Sequence, residues 1–242
     1  MKVNFYEEFP AKESLQKLKS LKFKSVLFLA TKSLSEFKNL EKKVSKINKN
    51  IECAYWPIIK NSYWISPFSN TSNLLELFSE LSQCKKQILI DLEFPLKKSM
   101  IIKNIPSYFK NKKLIKDFLD KNKKRVITAQ FPPSILDPLI KIGGLNYNLK
   151  IKKSLMWYSS MNSNMMNKNI TKNLIKLEDK SNYSISLGTI AKGIFENEPL
   201  LSSSDLEKDL LFVKKQGFKE VIIFRLEGLN KDYLKIINKF AN

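Results

Sequence analysis

Short apolar segments recur along the whole chain, and stretches with a helical spacing of apolar residues lie between them. These strand-like segments recur at intervals of roughly 25 to 40 residues. The segments comprise residues 3–7, 25–30, 51–56, 88–93, 125–131, 149–158, 184–189 and 221–227. Strands that alternate with helices predict a parallel sheet, because parallel neighbours need a long crossover connection.

The intervening stretches carry helix signals. Apolar residues at helical spacing predict helices over residues 10–21, 33–47, 71–81, 108–119, 204–216 and 232–240. Asn70 and Ser204 are predicted N-caps of the third and fifth helices, and Gly217 is predicted to end the fifth. Residues 159–182 are polar and rich in Asn and Met, which predicts a long loop with a poor helix.

Eight strands and about eight helices predict an α/β fold, a single (β/α)8 TIM-type barrel over residues 1–242. A doubly wound open sheet is the alternative, although it usually has fewer strands or more residues. In a (β/α)8 barrel the functional site lies at the carboxyl ends of the strands. The residues at these ends are therefore the candidates for function.

The sequence also bears on the location of the protein. It contains no run of about 18 apolar residues, so no membrane-spanning helix is expected. The first residues include Glu7 and Glu8 where a signal peptide would be apolar, which predicts a cytoplasmic protein. Cys53 and Cys84 form neither a disulfide framework nor a zinc motif.

The formal net charge of +20 raises the question of a nucleic-acid partner. Only Arg125 and Arg225 are arginines, whereas nucleic-acid sites favour arginine for bidentate contacts. We therefore expect lysines that solvate every face and no nucleic-acid partner. A polyanion-binding surface remains an alternative, because diffuse positive charge attracts phosphate backbones.

The chain contains no histidine, which excludes the usual Ser-His-Asp and Cys-His catalysis and histidine metal ligation. It also contains no glycine-rich phosphate-binding motif, and no cofactor is predicted. Chemistry in this protein must use other groups, above all carboxylates.

The segment of residues 87–95 supplies two carboxylates, because Asp91 and Glu93 end the fourth predicted strand and share one face. Neighbouring carboxyls can push each other's pKa values apart, which suits a general acid with a partner; solvated or salt-bridged strand-end acids are the alternative.

Aromatic side chains accompany polar groups at the same predicted strand ends. Aromatic faces beside carboxylates suit sugar rings, so a small-molecule or oligosaccharide substrate is expected. The predicted substrate-binding residues are Glu8, Trp56, Trp64, Gln130, Trp157, Arg225 and Glu227. The alternative for Trp56 and Trp64 is that they only pack under a long loop.

Arg225 lies in the eighth predicted strand. Alternation there predicts that Val221, Ile223, Arg225 and Glu227 face the barrel interior while the intervening residues meet the helices. A buried arginine requires a carboxylate, and Glu227, Asp91 and Glu8 are the candidates. A purely structural ion pair is as plausible as a clamp for a substrate anion.

Three of these strand ends together resemble glycoside hydrolase family 18, the chitinase-like barrels. Residues 90–95, IDLEFP, are similar to that family's strand-4 signature DxxDxDxE, and Asp91 and Glu93 match its last two acids. Residues 126–132, VITAQFP, look like its strand 5, and residues 156–158, MWY, look like the start of its MxYD motif. The earlier acidic positions are Lys86 and Leu89 here, and Ser159 replaces the aspartate of the third motif.

The resemblance implies substrate-assisted glycoside hydrolysis. Glu93 would protonate the leaving oxygen, Asp91 would orient the substrate acetamido group, and Tyr158 would hydrogen-bond its carbonyl. Two alternatives stay open. One is a non-catalytic barrel that binds a sugar or another ligand. The other is a divalent-metal-dependent lyase, isomerase or phosphoesterase that uses Glu8, Glu93, Glu198 and Glu227 as oxygen ligands.

Overall fold

The computed structural model describes residues 1–134 and 137–241. Its eight strands form a closed, all-parallel barrel in the order of the sequence, which confirms the predicted (β/α)8 TIM-type fold. The strands are β1 Lys2–Glu7, β2 Ser25–Thr31, β3 Ile51–Pro57, β4 Ile88–Asp91, β5 Val126–Gln130, β6 Lys152–Met156, β7 Tyr183–Gly188 and β8 Glu220–Phe224. All eight overlap the segments predicted from the sequence.

Barrel closure depends on β1, which pairs with both β2 and β8. Phe5 lies opposite Leu27 of β2 on one side and opposite Ile223 of β8 on the other. The β3–β4 pairing has a single register pair, Tyr55 with Ile88. The wall is therefore continuous, and the pairing between β3 and β4 is its shortest strand pairing.

Helices cover the outside of the barrel. They are α1 Lys12–Gln16, α2 Leu34–Ile47, α3 Thr71–Ser82, α4 Lys98–Asn104, α5 Tyr108–Lys121, α6 Asp137–Ile142, α7 Asn164–Ile175, α8 Ser203–Lys215 and α9 Lys231–Asn238. Over the described ranges, no helix is both long and apolar enough to cross a membrane.

The helix ends show which local signals were right. Asn70 caps α3, where its side chain accepts hydrogen bonds from the backbone N–H groups of Ser72 and Asn73. Gly217 follows α8 with a φ of 84°, a conformation that favours glycine. The cap of α8 is Ser202 rather than Ser204, because Ser202 Oγ accepts from the N–H of Asp205 at 3.1 Å. The 159–182 region is also a correction, since it contains the 12-residue helix α7.

Two apolar layers result from the alternation of side chains along each strand. The larger layer lies between the strands and the helices, and the smaller one fills the barrel interior. In β8 the predicted faces are reversed: Ile222 and Phe224 belong to the interior layer, whereas Val221 and Ile223 belong to the outer one. Both faces of this strand are apolar, so alternation alone could not decide which face is inside.

Candidate functional site

A pocket of about 370 Å³ opens at the carboxyl end of the barrel. Strands or the residues just after them supply much of its wall, including Tyr6, Glu8, Trp56, Leu89, Asp91, Ala129, Met156 and Phe224. The loops add Trp64, Phe131, Met161, Phe195 and Glu198. This volume and this mixture of apolar walls with a few polar groups are typical of sites for small ligands.

Six of the predicted site residues line this pocket. Glu93, Asp91 and Tyr158 meet there with Glu8, Trp56 and Trp64. The alternation of β4 explains the first pair: Leu89, Asp91 and Glu93 follow one another at every second position and point to the same side. The sequence predicted that these six residues would lie at a common site, and the structure places them in one pocket. Their roles in catalysis and binding stay predictions.

Four of the predicted substrate-binding residues lie elsewhere. Ala129 and Met156 line the pocket, so the next residues, Gln130 and Trp157, face outward. The Trp157 ring packs against Phe212 with centroids 5.2 Å apart, and its Nε1 donates to Asn167. Both predictions therefore assigned the wrong strand face.

Arg225 and Glu227 also lie outside the pocket wall. Arg225 is buried, and its guanidinium pairs with Glu7 at 3.2 Å and with Glu227. Its Nε donates to the carbonyl of Lys192 at 2.8 Å. Of the candidate partners only Glu227 is confirmed, and Glu7 was not foreseen. The ion pair joins the ends of β1 and β8 and is structural, so we do not propose it as a substrate clamp.

Asp91 and Glu93 are protonated more readily than ordinary carboxyls. Burial raises the pKa of Asp91 well above its usual value, the charges of Glu93 and Glu8 raise it further, and the Trp56 side chain opposes the rise. Burial raises the pKa of Glu93 to about 7, and the charge of Glu8 contributes. A carboxyl with a pKa near neutrality can donate a proton at physiological pH.

Glu8 lies at the end of β1 and links the strand to the β3–α3 loop. Its Oε1 accepts a hydrogen bond from the Tyr63 hydroxyl at 2.6 Å. Burial raises the pKa of Glu8, and the charge of Glu198 adds to the increase. Glu198 Oε1 accepts from the backbone N–H of Phe195 at 3.0 Å. Each carboxylate is thus held in place through one oxygen.

Two tyrosines form part of the pocket floor and wall. The Tyr6 hydroxyl lies 3.0 Å from Ser154 Oγ and 2.9 Å from Ser186 Oγ. Burial raises the pKa of Tyr158 well above its usual value, and the nearby Tyr6 and Asp91 contribute. Tyr158 therefore stays a neutral hydrogen-bond donor at any physiological pH.

Several oxygens of the pocket are buried without a hydrogen-bond partner among the described residues. They are Asp91 Oδ1, Glu8 Oε2 and Glu198 Oε2. Asp91, Glu8 and Glu198 are 5%, 4% and 8% exposed, so bulk water does not satisfy them fully. Buried polar atoms normally have partners, and these three oxygens are free to receive hydrogen bonds from a ligand.

The pocket also involves residues that were not among the predicted site residues. Tyr63 fixes Glu8, and Gly193 lies beside Glu8 and Glu198. Tyr6 lies two residues before Glu8 on the same strand face, at a strand end where the site was expected. Met161, Met166 and Phe195 come from the loops and α7, and no sequence pattern connected them with the barrel interior.

Comparison with known proteins places this geometry in context. No protein-family profile and no curated protein matched the chain in sequence. Solved structures did match in shape. A glycoside hydrolase family 18 N-acetylglucosaminidase from Paenibacillus barengoltzii superposes with a TM-score of 0.57 at 10% identity, and the match covers 99% of each chain.

Two further structures agree with this match. A family 18 chitinase from Cycas revoluta in complex with (GlcNAc)3 has a TM-score of 0.58 at 8% identity, with 99% of each chain covered. The spore cortex-lytic enzyme SleL of Bacillus megaterium has a TM-score of 0.59 at 12% identity and covers 100% of this chain and 74% of its own. This barrel has the fold of the family 18 glycoside hydrolases. The resemblance predicted from the strand ends is thereby confirmed for the fold.

The structure shows where the three residues that depart from the family 18 motifs lie and what they contact. Leu89 lies inside the barrel and lines the pocket below Asp91. Lys86 lies outside and pairs with Glu41 at 2.6 Å. Ser159 donates a hydrogen bond to Asp209 of α8. An apolar neighbour at position 89 leaves Asp91 in a less polar environment, consistent with its raised pKa.

The rim carboxylates do not form a metal site. In residues 1–134 and 137–241, no group of three or more acidic, cysteine or histidine side chains is placed to hold a metal ion. Glu227 is exposed and bound to Arg225, away from the pocket. The arrangement therefore gives no support to the metal-dependent alternative.

Proposed function

We propose that this protein is a glycoside hydrolase that cleaves oligosaccharides containing N-acetylated amino sugars. The observation that carries the proposal is the pair of protonatable carboxyls, Asp91 and Glu93, in a pocket walled by Trp56 and Trp64. The likeness of fold to family 18 enzymes supports the reaction class. A family 18 neighbour in complex with (GlcNAc)3 supports the substrate class.

In this mechanism Glu93 donates its proton to the glycosidic oxygen as the bond breaks. The acetamido carbonyl of the substrate attacks the anomeric carbon, which takes the place of an enzyme nucleophile. Asp91 accepts a hydrogen bond from the acetamido N–H through its free oxygen and orients the group. Tyr158 donates to the acetamido carbonyl. Water then opens the cyclic intermediate, and Glu93 accepts a proton from that water.

Turnover of a fluorogenic N-acetyl-chitooligosaccharide tests this proposal. We expect Glu93→Gln to lower kcat by at least about 100-fold, because general acid catalysis contributes roughly that much or more. The matched control is Glu52→Gln, which changes an exposed glutamate at the start of β3. Thermal melts of both variants should show an intact fold. Full activity in a folded Glu93→Gln variant would contradict the proposal.

A non-hydrolytic sugar-binding barrel is the second candidate, and the apolar Leu89 beside Asp91 favours it. It predicts that the same oligosaccharides bind in a calorimeter while no product forms after long incubation. It also predicts that Glu93→Gln leaves the affinity nearly unchanged. The two candidates are thus separated by product formation in the wild-type protein.

A further inference from the structure

The pocket contains more carboxylates than the proposed hydrolysis uses. Asp91 and Glu93 have roles in the reaction, whereas Glu8 and Glu198 line the same pocket without one. In the described part of the chain, no lysine or arginine forms an ion pair with any of these four side chains. Arg225 forms ion pairs with Glu7 and Glu227 instead, and it also donates a hydrogen bond to a backbone carbonyl. An acidic pocket without a cation is unexpected in a protein with a net charge of +20.

Glu8 and Glu198 lie close together on either side of Gly193. A Cβ built on Gly193 would lie 2.9 Å from Glu198 Oε1 and 3.3 Å from Glu8 Oε2. The same Cβ would lie 3.2 Å from the Phe224 ring. The glycine therefore lets the backbone pack closely against both carboxylates, and any side chain at this position would displace them.

One oxygen of each carboxylate lacks a hydrogen-bond donor. Glu8 Oε2 and Glu198 Oε2 are buried and lack partners among the described residues. Tyr63 and the Phe195 N–H hold the opposite oxygens, so both carboxylates are fixed before a ligand arrives. Two fixed carboxylates with free oxygens match an ammonium group, which carries three donors and a compensating charge.

We propose that Glu8 and Glu198 form a subsite for a protonated amine on a sugar. This inference rests on the proposed function and narrows its substrate to partly deacetylated amino-sugar chains. The N-acetylated residue occupies the reacting position at Asp91 and Tyr158. A neighbouring residue with a free amine donates from its ammonium group to the free Oε2 atoms of Glu8 and Glu198. Trp64 also lines this pocket.

Binding of monosaccharides to the wild-type protein tests the subsite, because they contain no glycosidic bond to cleave. Glucosamine, N-acetylglucosamine and glucose are titrated separately and followed by protein NMR at a pH at which the amine is protonated. We expect glucosamine to bind about tenfold more tightly than glucose, as one charge-assisted contact provides. N-acetylglucosamine should bind at the separate position beside Asp91 and Tyr158. Methylamine should bind more weakly than glucosamine, because it lacks the ring.

Variants locate the effect. Glu8→Gln and Glu198→Gln should each weaken glucosamine binding about tenfold and change N-acetylglucosamine binding less than twofold. Gly193→Ala should weaken glucosamine binding, because its Cβ would crowd Glu198 Oε1 and displace that carboxylate. The matched control is Glu196→Gln, an exposed glutamate of the same loop that does not line the pocket. It should leave both affinities unchanged.

Several results would overturn the subsite. One is that glucosamine does not bind, or binds no more tightly than glucose. Another is that methylamine binds as tightly as glucosamine. A third is that Glu196→Gln weakens glucosamine binding as much as Glu8→Gln does. These measurements do not depend on turnover. A protein with the amine preference but without hydrolysis would refute the proposed function alone, and one that hydrolyses without the preference would refute the subsite alone.

Discussion

At the scale of single residues, the ionisation of Glu93 sets the expected pH dependence. Burial and the charge of Glu8 raise the pKa of Glu93 to about 7. A general acid must be protonated, so kcat/KM should be constant just below this pH and fall about tenfold per pH unit well above it. A pH–rate profile measures this alkaline limb.

Glu8→Gln provides the test of the cause. The substitution removes the charge that helps to raise the pKa of Glu93, so the alkaline limb should move to lower pH. Glu196→Gln should leave the limb in place, since this exposed side chain lies outside the pocket. An alkaline limb that stays fixed in Glu8→Gln would show that Glu8 does not influence the acid.

The sequence allowed the acids to be found but not all of their neighbours. Asp91 and Glu93 end a strand whose apolar run fixes its position, and two residues of separation put both on one face. Trp157 and Gln130 were placed wrongly because the strand face is ambiguous when both layers of the barrel are apolar. Gly193 could not be predicted, because loop geometry brings it to the site.

At the scale of elements, the junction of β1 with β8 depends on a buried charge pair. Glu7 is fully buried, and its oxygens accept from Arg225 Nη1 at 3.2 Å and from the backbone N–H of Glu227 at 2.9 Å. The Arg225 guanidinium also lies 4.6 Å from the centre of the Phe9 ring. Loss of the arginine would leave a buried carboxylate without its cation.

Arg225→Met should therefore destabilise the fold by about 3 kcal/mol at pH 8. Burial already raises the pKa of Glu7 to about 7, although Arg225 opposes the rise. Without the arginine, Glu7 takes up a proton more readily, so the loss should be smaller at pH 5, where the carboxyl is neutral. Urea unfolding at both pH values measures this difference. The control Glu227→Gln, at the exposed end of the pair, should cost less than about 1 kcal/mol; equal losses for both variants would refute this account.

The elements also show where sequence patterns are sufficient. All eight strands were predicted, because each contains buried apolar residues and is separated from the next strand by a polar or helical stretch. Helix α7 was underestimated, since only Ile170 and Leu174 of it are buried and the rest of its surface is polar. A short buried stripe gives little periodic signal, and the helix is stabilised mainly by packing on the barrel.

For the molecule as a whole, the closed barrel wall predicts cooperative unfolding. Every strand has two hydrogen-bonded neighbours, so opening the barrel at one place removes the support of both adjacent strands. The shortest strand pairing, between β3 and β4, lies beside the pocket residues Trp56 and Asp91. The barrel should therefore not divide into halves that unfold separately, and residues 1–242 should behave as one domain.

Tryptophan fluorescence can test this prediction at two distant places. Trp157→Phe leaves Trp56 and Trp64 as reporters of the pocket, whereas a Trp56→Phe/Trp64→Phe variant leaves Trp157 as the reporter of the outer layer. Urea transitions of the two variants, each followed by fluorescence and by far-UV circular dichroism, should coincide within each variant. The contradicting result is a fluorescence change at lower urea than the circular dichroism change in the Trp157→Phe variant, which reports on the pocket. If only this variant showed that difference, the β3–β4 side would open independently of the remaining barrel.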